Sequence, residues 1–186
     1  PATPVPGTGG ESVLTADELC GAFSEATGKG NNNPYLMHLV VRKGNDYFLY
    51  VYNAYSSSLA NDPLTLKTVI PIPAEVGHKA AVWFGAVRYG FYAIGNRIMK
   101  FDYLNITQFA PEEKPFRLYD DKYEIVDVFV LIAGTALSDK DDCTVVYLYD
   151  REKKTTTIDV YNTVTGEDLH TYEDILPGRG VEFIKK

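Results

Sequence analysis

The chain has 186 residues, with 18 Lys and Arg against 25 Asp and Glu, a formal charge of −7 and a pI of about 4.9. That acidity repels phosphate backbones, and no long basic run offsets it, which argues against nucleic-acid binding. No apolar run approaches the roughly 20 residues that a membrane-spanning helix needs.

Residues 1–10, PATPVPGTGG, hold three prolines and three glycines and predict a tether rather than a ladder-forming segment. They lack the charged and apolar regions of a signal peptide. Thr15-Ala16-Asp17-Glu18 fits a capping box, with Leu14 and Leu19 placed as a hydrophobic staple. A short helix is therefore expected to about Thr27, stopped by Gly28, with Leu19, Ala22 and Phe23 on one stripe. Residues 1–34 thus form a tether and capped helix, and residues 35–186 a separate β domain.

Strands are expected at 35–41 and 47–53, joined by the turn at 42–46. Both runs are apolar nearly throughout, as in strands covered on both faces. A third run, 64–72, meets Pro71 and Pro73, which offer no N–H and end the ladder. Ala81–Val87, Gly90–Ile94 and Arg97–Tyr103 are separated by glycine-bearing turns so short that they join antiparallel neighbours. Residues 104–122 are polar, with Pro111 and Pro115, and are expected to cross the surface. Further strands are predicted at 123–134, 143–150 and 155–162, then one or two short ones in the tail.

These segments repeat. Tyr52-Asn53, Phe101-Asp102 and Tyr161-Asn162 each close a meander, at spacings of 49 and 60 residues, and Tyr149-Asp150 sits one strand earlier in the last unit. The period suits four-stranded β-propeller blades. The aromatic is expected to pack between neighbouring sheets, and the Asn or Asp to cap the following turn. The fold class is all-β: antiparallel four-stranded meanders, propeller-like, about three blades, with one short N-terminal helix; three blades are too few to close a ring, so a partial propeller is expected, the alternatives being hidden blades or units stacked as a sandwich.

The run GFYAIGNRIMKFDY, followed later by VYLYDREKKTTTIDVYNTVTGE and GRGVEFIKK, resembles the C-terminal, propeller-like part of PKD-like surface lipoproteins of Bacteroidetes. The resemblance covers residues 35–186. It implies a non-enzymatic lipoprotein at the outer membrane and cell surface, with protein partners in a glycan or peptide uptake complex. It also implies blades upstream. Membrane attachment is expected only through an anchor outside these residues, because Ala16-Asp17-Glu18-Leu19 before Cys20 is partly acidic where a lipidation site wants small apolar residues.

The motif search returns no catalytic, metal or cofactor set. Asp139, Asp141 and Asp142 share a loop, but an EF-hand pattern meets Cys143 and Thr144 where it needs an oxygen ligand and a glycine, so a solvated turn is preferred. His38, His78 and His170 are scattered, without zinc-ligand spacing, and His38 reads as a core histidine. There is no nucleophile elbow, since Ser24 lies on the expected helix, and no phosphate-cradling glycine loop. Asp102 and Asp127 are the only carboxylates set aside as a glycosidase pair. Cys20 and Cys143 are read either as one disulfide or as two free thiols. Trp83, Tyr89 and Tyr92 are the candidate ligand-binding residues, as an aromatic platform for a sugar or peptide. The competing reading, preferred here, packs Trp83 between blades. The expected function is surface binding or scaffolding; the alternatives are a carbohydrate-active enzyme or a stand-alone sugar-binding module.

Overall fold

The computed structural model describes residues 16–25, 36–53, 65–86, 89–102, 107–131, 133–134 and 141–179. Twelve strands and one helix are found among them. Sheet 1 holds β1 (Glu18–Glu25), β2 (Leu36–Lys43), β3 (Asp46–Asn53) and β4 (Thr65–Ile72). The helix α1 (Ala74–Lys79) leads to sheet 2, with β5 (Val82–Ala86), β6 (Tyr89–Ile94), β7 (Arg97–Asp102) and β8 (Arg117–Leu118). Sheet 3 holds β9 (Tyr123–Leu131), β10 (Cys143–Asp150), β11 (Thr155–Asn162) and β12 (Asp168–Pro177). Each sheet is an antiparallel meander in chain order. The first strands are the neighbours between sheets: β1 lies against β5, and β5 against β9. This is the blade arrangement of a propeller with its first strands innermost.

The repeat signal marks equivalent positions. Tyr52, Phe101 and Tyr161 all end the third strand of their sheet, and each is only 1% exposed. Phe101 joins Phe23, Val40, Leu49, Ile70, Trp83 and Tyr92 in the core between sheets 1 and 2. Tyr161 joins Phe84, Phe91, Ile98, Ile125 and Val146 in the core between sheets 2 and 3. The capping role is seen at Asn162 and Asp150. Asn162 Oδ1 accepts the Val164 and Thr165 amides at 2.9 and 3.0 Å, and Asp150 Oδ1 accepts those of Glu152 and Lys153, each at 2.9 Å.

Three expectations are corrected. The N-terminal helix is absent: residues 18–25 are β1, paired antiparallel with β2 from Glu18 against Arg42 to Glu25 against Leu36. A mid-helix Gly21 would cost about 1 kcal/mol relative to Ala, whereas in β1 it lets the strand close on Trp83, whose Cδ1 lies 2.9 Å from where a Cβ would stand. Leu19, placed on the buried stripe, is 60% exposed. The local capping signal loses to the open edge of β2, which needs a partner for its N–H and C=O groups. The boundary at residues 34 and 35 therefore cuts through sheet 1; Thr15 and Gly28 lie outside the described residues. The second correction concerns Pro71, which stays inside β4 opposite Phe48. β4 is the last strand of its sheet, where a missing N–H is tolerated. Third, the surface crossing at 104–122 contributes β8, the fourth strand of sheet 2.

Gly90 sits opposite Phe101 in the β6–β7 ladder, and the Phe101 ring lies over it, with Cζ 2.3 Å from where a Cβ would stand. Gly90→Ala must displace that ring, and overpacking of this kind costs about 1–3 kcal/mol. Urea unfolding is expected to show that loss; unchanged stability would mean that the ring is not seated on Gly90.

Candidate functional site

The three candidate aromatics do not converge. Trp83 and Tyr92 are cross-strand partners in β5 and β6, with ring centroids 5.0 Å apart. Both face sheet 1 and stand against Phe101 and Phe109. They are 6% and 2% exposed, so they form part of the wall between two sheets and offer no open ring face for stacking. Tyr89 belongs to the opposite face of sheet 2, packed toward sheet 3. The Lys100 ammonium lies 4.0 Å from its ring centroid and 3.4 Å from Glu112 Oε1, a cation held between a π-face and a carboxylate.

The carboxylates set aside as a catalytic pair are also separated. Asp102 ends β7 opposite Tyr89, on the sheet 3 side of sheet 2. Asp127 lies opposite Tyr147, on the face of sheet 3 turned away from sheet 2, and accepts the Val128 amide. In the acidic loop, Asp142 Oδ1 accepts the Ala133 amide at 2.9 Å and Asp141 Oδ2 accepts from Asn162 Nδ2 at 3.1 Å; Asp139 lies outside the described residues. His78 Nδ1 is 2.9 Å from the Tyr47 hydroxyl, and His170 packs beside Tyr172. Cys20, half-buried, and Cys143, fully buried, form no disulfide. Among the described residues, no three His, Cys, Asp or Glu side chains group as metal ligands.

The most organised polar cluster lies at the seam between sheets 2 and 3. Arg117, on β8, donates from Nη2 to Asp159 Oδ2 at 2.8 Å and to Asp168 Oδ1 at 2.7 Å, and from Nη1 to the Gly166 carbonyl at 2.7 Å. Its guanidinium lies 4.6 Å from the Tyr161 ring centroid. The Tyr119 hydroxyl donates to the same Asp159 oxygen at 2.7 Å, and Thr171 Oγ1 donates to the other at 3.1 Å. Asp159 is buried, and a buried carboxylate persists only when matched in this way. Burial first, then the Asp159 charge, pushes the Tyr119 hydroxyl far above its ordinary range. Burial works against the charge on Arg117, but Tyr119, Asp168 and Asp159 outweigh it and keep the guanidinium ionised.

Two large apolar side chains stand at the surface beside this clamp in sequence. Leu118 follows Arg117 and is 63% exposed; Val164, two residues before Gly166, is 58% exposed. The ionic clamp fixes the backbone at both places and offers no reactive group of its own. Sequence reasoning missed it because the partners of Arg117 lie 42 to 51 residues away and no local spacing joins them.

A scan against protein-family models and searches of curated proteins and of solved structures find no match.

His38 is fully buried and stacked on Phe23 with centroids 4.6 Å apart and planes 5° apart. Burial is the main cause that lowers its pKa to about 4, from 6.5. The unfolded chain therefore gains a proton near pH 6.5 that the folded chain refuses until about pH 4. Stability is fully present above the unfolded value and is lost as pH falls across that window. Between pH ~7.5 and pH ~5 the loss attributable to His38 is about 2 kcal/mol. Carboxylates held below their ordinary range, such as Asp150 by the Lys153 amide, Lys122 and the Glu152 amide, act mainly below the window. Urea unfolding at the two pH values is expected to show the loss in the parent chain and not in His38→Phe; equal slopes in both chains would contradict it.

Proposed function

We propose that this chain is a non-enzymatic binding or scaffolding lipoprotein of the cell surface, accessory to an outer-membrane complex that takes up glycans or peptides. One observation carries the reading: Leu118 and Val164 stand exposed, one next to Arg117 in sequence and the other two residues before Gly166, whose carbonyl Arg117 holds. Apolar side chains presented on a fixed backbone lose little entropy when a partner covers them. The use of polar groups supports the same reading. Among the described residues, the buried carboxylates Asp150 and Asp159 serve as a turn cap beside Lys122 and as the centre of the Arg117 clamp. The compartment and the kind of partner are proposed from the resemblance of the strand cadence to PKD-like surface lipoproteins.

Affinity purification of the tagged protein from its native cells tests this. Recovery in the outer-membrane fraction together with transport proteins is expected, and Leu118→Lys with Val164→Lys is expected to lose those partners while keeping the fraction. Recovery only as a free soluble species would contradict the proposal.

A further inference from the structure

Residues 107–116 form a strap over the outer edge of sheet 2. β8 is only two residues long, so the edge of β7 takes further hydrogen bonds from the strap. Phe116 donates its amide to the Ile98 carbonyl and Glu112 to that of Lys100, each at 2.8 Å. The strap also places one ring on each face of the sheet. Phe116 stands on the face toward sheet 3, its centroid 5.3 Å from that of Phe91. Phe109 stands on the face toward sheet 1, against Phe101 at 5.2 Å, Tyr92 at 5.7 Å and Trp83 at 6.0 Å.

The two parts of the strap are held differently. At Glu112 the hold is ionic: Lys100 Nζ lies 3.4 Å from Glu112 Oε1, 4.0 Å from the Tyr89 centroid and 5.5 Å from that of Phe116. At Phe109 it is a ring in a ring-lined hollow. Phe109 is half-buried, while Thr107, Gln108 and Ala110 around it are exposed. Beneath it lies a donor without an acceptor. Trp83 is buried, and its Nε1 has no hydrogen-bond partner among the described residues. A buried unpaired donor costs free energy, and natural folds leave few of them. A wall that served packing alone would gain by having none.

We propose that Trp83, Tyr92 and Phe101 form a pocket for an aromatic side chain carried on a peptide, and that Phe109 fills it when no such peptide is bound. The occupant already in place shows what fits: a phenyl ring whose flanking residues stay at the surface. An incoming peptide exchanges ring for ring, so the apolar walls are covered in both states. A tyrosine hydroxyl or a peptide carbonyl supplies the acceptor that Trp83 lacks. A sugar fits less well, because it carries a hydroxyl on nearly every carbon and these ring walls would strip most of them of partners. The parent chain binds with its affinity reduced by the fraction of molecules in which the strap is open. The pocket needs no membrane and no transport protein, and its residues are other than Leu118 and Val164. It is measured on the isolated chain, so it and the uptake reading fail separately.

Trp83 is the one tryptophan in the chain, so its emission reports on this pocket. The probe is the acetylated and amidated tripeptide Gln-Phe-Ala, which copies residues 108–110. A saturable change in emission is expected in the parent chain. Phe109→Ala is expected to saturate at about tenfold lower peptide concentration or less, since a minor open state is populated at about 10% or below. Glu112→Gln leaves every ring in place and loosens only the ionic hold. It is expected to tighten binding by about two- to fivefold with an unchanged circular dichroism spectrum, and it serves as the test if Phe109→Ala does not fold. The control tripeptide Gln-Ala-Ala is expected not to saturate. No saturation by Gln-Phe-Ala in the parent chain would overturn the proposal and make Phe109 a fixed core residue. So would an equal response to both tripeptides, equal affinity in the parent chain and the folded variants, or saturation by glucose in place of the peptide.

Discussion

Phe101 closes over Gly90 on one side and meets Phe23 and Trp83 of the adjoining strands on the other. The rest of the stack depends on that placement. A side chain at position 90 would lift the ring and hold sheet 2 off sheet 1. Gly21 makes the same allowance from the other side, because β1 can approach Trp83 only without a Cβ. Two glycines and one ring thus set the separation of the sheets. Buried rings that meet edge-on, as Phe23 and Phe101 do, contribute beyond the area they cover.

The second seam is built differently. Between sheets 2 and 3 an apolar core around Phe91, Ile98 and Leu148 is joined by Arg117, which spans from β8 to Asp159 and Asp168. Removing one partner of such a network leaves the other charged and buried, which costs more than the pair contributes. The ionic seam therefore fixes orientation on top of the apolar core it borders.

Apart from β1 and β8, the strands of the three meanders were legible in the sequence because glycine turns and the third-strand aromatic followed by Asn or Asp are local signals. Phe101-Asp102 and Tyr161-Asn162 lie where the repeat places them. The N-terminal segment was not legible. Its capping residues are real helix signals, but an open edge on β2 outweighs them, and only the fold brings that edge into view. The short helix α1 escaped notice because six residues after Pro73 carry almost no periodicity. Trp83 and Tyr92 pack as the preferred sequence reading had Trp83 packing, between two sheets. The Arg117 clamp had no sequence signature, since residues more than forty positions apart share no spacing rule.

A double-mutant cycle between Phe23 and Phe101 tests the intersheet ring contact most directly. The two rings lie 6.2 Å apart at 76° and belong to different sheets. Stability is measured for the parent chain, Phe23→Leu, Phe101→Leu and the double variant. A coupling of about 0.5–1.5 kcal/mol is expected from rings in that geometry. Additive losses, with coupling below about 0.3 kcal/mol, would contradict the packing of sheet 2 on sheet 1 through this ring.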